Sequence, residues 1–288
     1  MAEMSGRRLR FTASGTALAF ALTVGMAPAA NAAIPALPRK ALPVAVDAQT
    51  PYEGQVSCDP RSKPGVAAFA ALMSAQYKIG AKSTYRTCAS GTSEHYDSRA
   101  LDWMLNVNNP TQKAIANSVT AWLSAKNGVM ARRFGISYII WNHKIWGVYA
   151  PERGWAAYRG AVPHTDHVHL SFSWDGAMKR TSWWTGRATK VADLGPCRVY
   201  AGQFAPLYSA ARTGGCRAPR PAPVSVYSVA VMGQRSAQIA IAQRRLGVKA
   251  DGVFGGTTFW RLVAWQTRAR VPVTGVLDKA TWRKMTGR

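Results

Sequence analysis

Apolar residues recur at helical spacing in two stretches of the first half of the chain. In residues 64–77 they share one face, and Pro64 suits the first turn of a helix. In residues 111–126 a second apolar face appears, and Gly128 follows its end. The pattern therefore predicts two helices in this part of the chain.

Three later runs are rich in β-branched and aromatic residues and predict strands. Residues 136–141 and 145–149 are joined by a short polar connection at 142–144, which predicts a hairpin. Residues 167–173 alternate between polar and apolar side chains and predict another strand. Helices mixed with several strands predict an α+β domain with a small antiparallel sheet, extending to about residue 216.

The C-terminal part of the chain carries an internal repeat. Residues 251–258 return as residues 274–281, an offset of 23 positions. In each copy a glycine permits a tight turn and a polar residue can cap the following helix. Helical patterns lie before the first copy, at 239–246, and between the copies, at 259–269. The repeat therefore predicts a small all-α bundle.

Two segments rich in proline separate these regions. Residues 33–57 are rich in Pro and Ala and predict an exposed lead-in, and residues 217–230 contain three prolines within five positions, as in a stiff spacer. The predicted organisation is a larger domain at 58–216 and a small C-terminal domain at 231–288.

Residues 1–32 have the three parts of a secretory signal peptide. Arg7, Arg8 and Arg10 are followed by an uncharged apolar stretch and by a small-residue cleavage site at 30–32. The alternative is an uncleaved membrane anchor, but the stretch is short for a span of about 20 residues. The sequence predicts a secreted protein, extracellular or associated with a cell wall, without stable membrane insertion after cleavage.

The net charge of the chain limits the classes of partner that it is expected to bind. Among 288 residues, Lys and Arg total 37 against 13 acidic residues, a formal net charge of +24. With 48% apolar and 17% charged residues, the composition is globular and excludes a disordered chain, a coiled coil or collagen. A basic protein binds polyanions. For a secreted protein we expect anionic wall polymers as partners, and no nucleic acid.

The four cysteines agree with export to an oxidising compartment. They form no C-x-x-C pair, and three pairings are possible. Short loops favour Cys58–Cys88 and Cys197–Cys216, each of which would add about 2–4 kcal/mol by restricting the unfolded chain. A metal role is not expected at these spacings.

Two clusters that contain histidine carry the candidate chemistry. The first holds His95 and Asp102, and the second holds His167 and His169. Alternate residues of a strand face the same way, so His167 and His169 should point into one cavity. A catalytic zinc site takes such ligands from separated elements and leaves one position open for water. The alternative is that these are surface or core histidines without a metal.

Together the clusters resemble the zinc peptidase superfamily that spans lysostaphin-type enzymes, D-Ala-D-Ala peptidases and hedgehog. The family pattern Ser-x-His-x-x-Gly-x-Ala-x-Asp is matched in register, except that Ser98 stands where glycine is usual. The matching residues are Ser93, His95, Ala100 and Asp102. The His–Asp spacing is that of the D-Ala-D-Ala branch. The resemblance implies one zinc ion per chain, held by His95, Asp102 and His169.

The resemblance leaves two candidates for the general base. In the D-Ala-D-Ala branch a carboxylate stands three residues before the last ligand, where this chain has Asp166. Other branches have a histidine two residues before it, where this chain has His167. The spacing of the first cluster favours Asp166 as the base. His167 would then polarise the carbonyl group or stabilise the oxyanion, unless it only orients a ligand.

Two further residues are implied to bind substrate. Arg86 belongs to a Tyr-Arg pair ahead of the first cluster, and in the resembling peptidases this arginine binds a substrate carboxylate through its bidentate fork. Ser93 could donate a hydrogen bond to substrate or only shape the ligand loop. His143 and His164 match no motif, and a structural role is expected for both.

Aromatic residues are frequent between positions 141 and 184. Such side chains line saccharide grooves in some proteins, but they more often form the core. The residues are Trp141, Trp146, Tyr149, Trp155, Trp174, Trp183 and Trp184.

The C-terminal repeat resembles the peptidoglycan-binding domain often appended to wall hydrolases. The match covers about residues 235–286, although these residues could also specify only a fold. The two resemblances imply a monomeric secreted zinc peptidase, a D-Ala-D-Ala-type carboxypeptidase or an endopeptidase, that hydrolyses amide bonds in peptidoglycan peptides and is anchored to the wall. The alternatives are a catalytically inactive wall-binding protein and a secreted basic nucleic-acid binder.

Overall fold

The structure is a computed structural model that describes most of the chain after the predicted signal peptide. The described residues are 34–59, 61–86, 92–201, 204–221 and 230–287. In these residues no helix is both long and apolar enough to cross a membrane. The predicted signal peptide at 1–32, the spacer residues 222–229 and Cys88 lie outside them. Secretion and the Cys58–Cys88 pairing therefore stay predictions.

A six-stranded antiparallel sheet organises the described part of the larger region. The strands are β1 (Ala81–Ser83), β2 (Ala100–Trp103), β3 (Ile136–Trp141), β4 (Lys144–Gly147), β5 (Ala156–Ala157) and β6 (Val168–Phe172). Their order in the sheet is β1-β2-β6-β3-β4-β5. The helices are α1 (Pro64–Tyr77), α2 (Pro110–Phe134), α3 (Trp174–Ala177) and α4 (Ser182–Thr185), with a 3-10 turn at Pro151–Arg153. The predicted α+β class is confirmed.

The core lies where α1 and α2 pack against the sheet. α1 has the predicted bounds, and it ends where Lys78 turns left-handed, at a φ of 59°. The Phe69 ring meets the rings of Phe134 and Phe172 edge to face, with centroids 5.0 and 5.7 Å apart. These three side chains are almost fully buried, so they join both helices to β6.

Helix α2 extends beyond its predicted end. Residues 125–128 have non-helical dihedral angles, as the glycine at 128 indicates, but the chain then resumes a helix as far as Phe134. A Cβ on Gly128 would lie 2.4 Å from the ring of Trp146, so the break also brings α2 against β4. The sequence pattern predicts the break and misses the second helical segment.

The predicted hairpin is confirmed as β3 and β4. Its turn has two residues, Asn142 and His143, both left-handed with φ of 46° and 63°. Such a turn matches the right-handed twist of the two strands, and asparagine tolerates the left-handed conformation well. β4 therefore begins at Lys144, one residue earlier than predicted, and ends at Gly147.

The proline-rich segment before the larger domain packs against that domain. Asp47 is buried and accepts hydrogen bonds from the backbone N–H groups of Ser182 and Thr189, at 2.9 and 3.0 Å. Arg133 donates to backbone carbonyl groups of the same segment. These residues are therefore part of the folded domain rather than an exposed lead-in.

The C-terminal region is the predicted helical bundle, with α5 (Ala237–Leu246), α6 (Gly256–Ala269) and α7 (Lys279–Thr286). Each copy of the repeat surrounds a buried glutamine, whose amide nitrogen donates to the loop that follows. The bonds are Gln243 Nε2 to the Val253 carbonyl (2.9 Å) and Thr258 Oγ1 (3.0 Å), and Gln266 Nε2 to the Val276 carbonyl (2.9 Å) and Thr281 Oγ1 (2.9 Å). The two copies therefore share one hydrogen-bond scheme.

The last segment of the larger region, residues 197–216, is closed by the predicted Cys197–Cys216 disulfide. Within this segment, Phe204 and Leu207 pack against the apolar cluster of the C-terminal bundle. Cys58 and Tyr96 of the larger region join the same cluster, so the bundle contacts that region both directly and through this segment.

Candidate metal centre

Two neighbouring strands bring the predicted ligands together. Asp102 on β2 and His169 on β6 are direct cross-strand partners, and His169 Nδ1 lies 3.0 Å from Asp102 Oδ1. His95 precedes β2 in a turn, and its Nε2 lies 3.1 Å from the same oxygen. All three side chains are buried, and their ligand atoms lie within 4.8 Å of one another.

The donor set fits a single metal ion. His167 adds a third imidazole nitrogen 3.5 Å from Asp102 Oδ1, more groups than one carboxylate oxygen can serve well. His95 Nδ1 is buried and has no hydrogen-bond partner among the described residues. Ligand atoms of a tetrahedral site with bonds of ~2.0–2.1 Å lie on the order of 3.3 Å apart, close to the separations seen here. Two imidazoles and a carboxylate suit a divalent transition metal.

The neighbours of His169 fix its orientation. Its Nε2 lies 2.9 Å from the hydroxyl oxygen of buried Ser171, and this contact directs Nδ1 towards Asp102. The Tyr138 ring stacks on His169, with centroids 5.5 Å apart, and its hydroxyl donates to buried Glu94 at 2.7 Å. Tyr52 donates to the other oxygen of Glu94 at 3.1 Å. Sequence reasoning missed Glu94; its position next to His95 in the chain is the available signal, whereas its burial depends on distant contacts with Tyr138 and Tyr52.

Asp102 is held in its ionised form. Burial alone would raise the pKa of its carboxyl group, but hydrogen bonds from His169 and His95 outweigh burial and hold the pKa well below its usual range. Burial also lowers the pKa of His95, which favours the neutral imidazole that binds metals. Both shifts favour forms that metal binding requires, an ionised Asp102 and a neutral His95.

Arg86 lies at the cluster and contacts a candidate ligand. Its Nη2 is 2.5 Å from Asp102 Oδ2, and its side chain is about half-exposed. The guanidinium group therefore neutralises Asp102 from the side opposite the histidines. The implied contact between Arg86 and a substrate carboxylate stays a prediction.

The two candidate bases lie in series. His167 Nε2 faces Asp102, whereas His167 Nδ1 lies 2.8 Å from Asp166 Oδ1. The Asp166 side chain is 66% exposed. Asp166 is thus joined to the cluster through His167, which is the nearer of the two.

The ligand turn is shaped by serines. Ser93 Oγ accepts a hydrogen bond from the His95 backbone N–H at 3.3 Å, which agrees with the loop-shaping alternative. Ser98 is left-handed, with a φ of 57°, and its hydroxyl donates to the Asp59 carbonyl at 2.6 Å. A left-handed residue explains why the family pattern has glycine at this position.

Two charged residues between His95 and Asp102 support the turn rather than the cluster. Asp97 accepts hydrogen bonds from the backbone N–H groups of Val56 and Ser57, and Arg99 donates to Asp97 at 3.0 Å. Arg99 is fully buried and also donates to the Phe172 carbonyl at 2.8 Å. Sequence reasoning missed both, because their burial depends on contacts distant in the chain.

His164 also lies against the cluster. Its ring centroid is 4.7 Å from that of His167 and 5.6 Å from that of His169. Burial, with the two neighbouring histidines, lowers its pKa to about 4, so it is neutral near pH 7. His143, in contrast, is exposed in the hairpin turn.

Comparison with known families separates the two regions. Residues 58–169 match the family described as VldE, C-terminal domain, a range that contains all three predicted ligands. Residues 235–285 match the peptidoglycan binding domain family. This second match supports the predicted wall-binding domain. No curated protein and no solved structure matches the chain. The comparisons therefore indicate association with a cell wall. They name no reaction, so the chemistry must be inferred from the geometry of the site.

Proposed function

We propose that this protein is a wall-associated zinc peptidase that hydrolyses amide bonds in peptidoglycan stem or cross-link peptides. The observation that carries the proposal is the buried convergence of His95, Asp102 and His169. The match of residues 235–285 to a peptidoglycan binding domain supports the choice of substrate.

Different side chains would bind one zinc ion, orient its ligands and bind the substrate. His95, Asp102 and His169 would hold the metal, and Ser171 would keep His169 in the orientation that binding needs. A bound zinc ion supplies a Lewis acid and lowers the pKa of water to about 7. Arg86, half-exposed beside Asp102, offers guanidinium donors to the carboxylate of a peptide substrate.

His167 would act as the general base that takes a proton from the attacking water. Its Nε2 faces Asp102 and the other candidate ligands. Asp166 accepts a hydrogen bond from Nδ1, and this bond orients the ring and stabilises its charged form. Asp166 is then a positioning residue. The alternative favoured by the sequence, in which Asp166 is itself the base, requires its exposed carboxylate to turn towards the substrate.

Secretion and a monomeric state remain part of the proposal. The Cys197–Cys216 disulfide is consistent with an oxidising compartment outside the cytosol. The charge of +24 suits anionic wall polymers. The peptidoglycan-binding domain would raise the effective concentration of the catalytic region on an insoluble substrate.

One observation favours a second candidate, a catalytically inactive wall-binding protein. The contact between Arg86 and Asp102 pairs the candidate carboxylate ligand with a guanidinium group, and this pairing competes with a metal for the same charge. In that case the buried cluster would be a structural remnant, and the C-terminal domain would carry the function.

Digestion of purified cell walls separates the two. The full chain is incubated with insoluble walls, and released fragments are identified by mass spectrometry, with and without a strong chelator and added zinc. The proposal expects peptide fragments with new amino or carboxyl ends, which disappear with the chelator and return with zinc. Release of no fragments by a zinc-loaded protein that binds the walls would favour the inactive protein.

A further inference from the structure

A cleft of about 300 Å³ lies between α2 and the β3–β4 hairpin. It is lined by Asn117, Thr120, Ala121, Trp141, Asn142, Lys144 and Trp155. The cleft adjoins the candidate metal centre, because the backbone N–H of Asn142 donates to the carbonyl of His164 at 2.8 Å. The ring of His164 in turn packs against His167 and His169.

Two tryptophan rings line this cleft: Trp155 is half-buried, whereas Trp141 is only 4% exposed and also belongs to the core. The indole N–H of Trp141 donates to Asn117 Oδ1 at 2.9 Å, and that of Trp155 donates to Ser124 Oγ at 3.1 Å. These bonds satisfy the only polar atom of each ring and fix its plane. Other tryptophans of the aromatic run, such as Trp146 and Trp174, are buried in the core. Trp155 differs from these packing tryptophans, because it is only half-buried.

Polar groups at the cleft are left available for a ligand. The side-chain amide nitrogen of Asn117, the amide of Asn142 and the ammonium group of Lys144 form no hydrogen bond or ion pair with the described residues. Amide groups both donate and accept, as hydroxyl and acetamido groups of sugars require. The half-buried Trp155 ring, held by its bond to Ser124, offers apolar surface to the C–H face of a pyranose ring. This combination favours a sugar over an apolar or purely anionic ligand.

We propose that this cleft binds an N-acetylated sugar of the peptidoglycan glycan strand. The inference rests on the proposed function for the identity of the polymer, because the same polymer carries both the sugars and the peptides. Its volume is at the lower end of the ~300–1,000 Å³ of small-molecule sites, which fits about one sugar ring. A sugar held beside His164 would place its attached peptide next to the metal cluster.

Calorimetric titration of the full chain with a peptide-free tetrasaccharide of N-acetylglucosamine tests the proposal. In Asn117→Asp the retained oxygen still accepts the Trp141 N–H, while the free amide donor is replaced by an acceptor. We expect the affinity for the tetrasaccharide to fall at least about tenfold, because the donor to the sugar is lost and a charge is added. Asn127→Asp is the matched control, since Asn127 is exposed in the break within α2, outside the cleft, and the affinity of this variant should equal that of the wild type.

A second variant and a second probe keep the test decisive. Trp155→Ala removes one wall, and its metal content and melting temperature show whether it is folded. Unchanged tetrasaccharide affinity in both variants, or no binding to the wild type, would overturn the proposal. So would a loss of affinity for a glycan-free stem peptide alone, which would make the cleft a peptide subsite. Because the tetrasaccharide contains no peptide bond, this result is independent of whether the protein hydrolyses walls.

Discussion

The larger region and the C-terminal bundle treat their buried polar side chains in opposite ways. In the bundle, each buried glutamine donates to the following loop and accepts from a glycine N–H, at 2.8 Å for Gln243 and 2.9 Å for Gln266. In the larger region, three imidazoles crowd one oxygen of Asp102, and a nitrogen of His95 has no partner among the described residues.

The difference teaches how to separate structural from functional polar groups. All of these side chains are buried, so burial by itself does not distinguish them. A buried group whose donors and acceptors are all used specifies a fold, whereas groups that converge and remain under-satisfied are candidates for a ligand site. The glutamines belong to the first kind and the metal cluster to the second.

The largest effect should come from removing a ligand of the cluster. His95→Ala and His169→Ala should each lower wall hydrolysis at least about 10³-fold, because a metal supplies several kcal/mol and each 1.4 kcal/mol is tenfold. Release of muropeptides, followed by chromatography, measures the loss. His143→Asn is the control, since this exposed histidine lies in a turn and should retain full activity. Equal activity in His169→Ala would place the chemistry elsewhere.

The next largest effect is the loss of activity on replacing His167, compared with the loss on replacing Asp166. His167→Asn should lose a factor on the order of 10²–10⁴ in kcat, as expected for a general base, while Asp166→Asn should lose about tenfold because it only positions the ring. Both variants should retain zinc, which metal analysis checks. A larger loss for Asp166→Asn, with both proteins loaded, would instead make Asp166 the base, as the sequence spacing favours.

The bundle should respond in stability rather than in chemistry. Gln266→Ala leaves buried donors and acceptors unpaired, so it should lower the free energy of unfolding by about 2–3 kcal/mol. Thermal denaturation measures this loss, and Arg268→Ala, an exposed neighbour on α6, should change it by less than about 0.5 kcal/mol. Gln266→Ala should not change zinc content. A loss of zinc in this variant would contradict the separation of the two regions.

The smallest effect is a pH dependence of stability, which comes from a buried carboxyl group with one unpaired oxygen among the described residues. Glu53 Oε1 is buried without a partner among the described residues, and burial raises the pKa of Glu53 from 4.5 to about 7, against the opposing charge of Arg99. The folded state therefore keeps a proton that the unfolded chain releases, so stability falls as the pH rises from 4.5 to 7. Glu53→Gln should reduce this fall by on the order of 2 kcal/mol. An unchanged slope of melting temperature against pH would show that Glu53 is not the cause.

Local signals in the sequence predict much of the fold. The bounds of α1 and β3 follow from periodicity and from Pro64, and the hairpin follows from the polar turn at 142–144. The short strands β1, β2 and β5 are missed, because two to four residues carry too little pattern. β2 is defined by its pairing with β6, a contact between residues far apart in the chain.

The site divides in the same way. The family resemblance implies the set of His95, Asp102 and His169, and the structure brings these side chains together. Alternation predicts that His167 points into the same cavity as His169, and His167 Nε2 lies 3.5 Å from Asp102 Oδ1. The role of His95, Asp102 and His169 as metal ligands stays a prediction. The order of Asp166 behind His167 depends on side-chain direction at the start of β6, which spacing does not encode. The support from Glu94 through Tyr138 depends on a third strand.

Zinc binding by the full chain tests the central claim most directly. The protein is stripped of metal, titrated with zinc against a competing chelator, and compared with Asp102→Asn and His169→Ala. We expect one zinc ion per chain in the wild type and at least about a hundredfold weaker binding in each variant, because a ligand is lost from a buried site. A wild type that binds no zinc, or variants that bind it as tightly as the wild type, would contradict the assignment of this cluster as a metal centre.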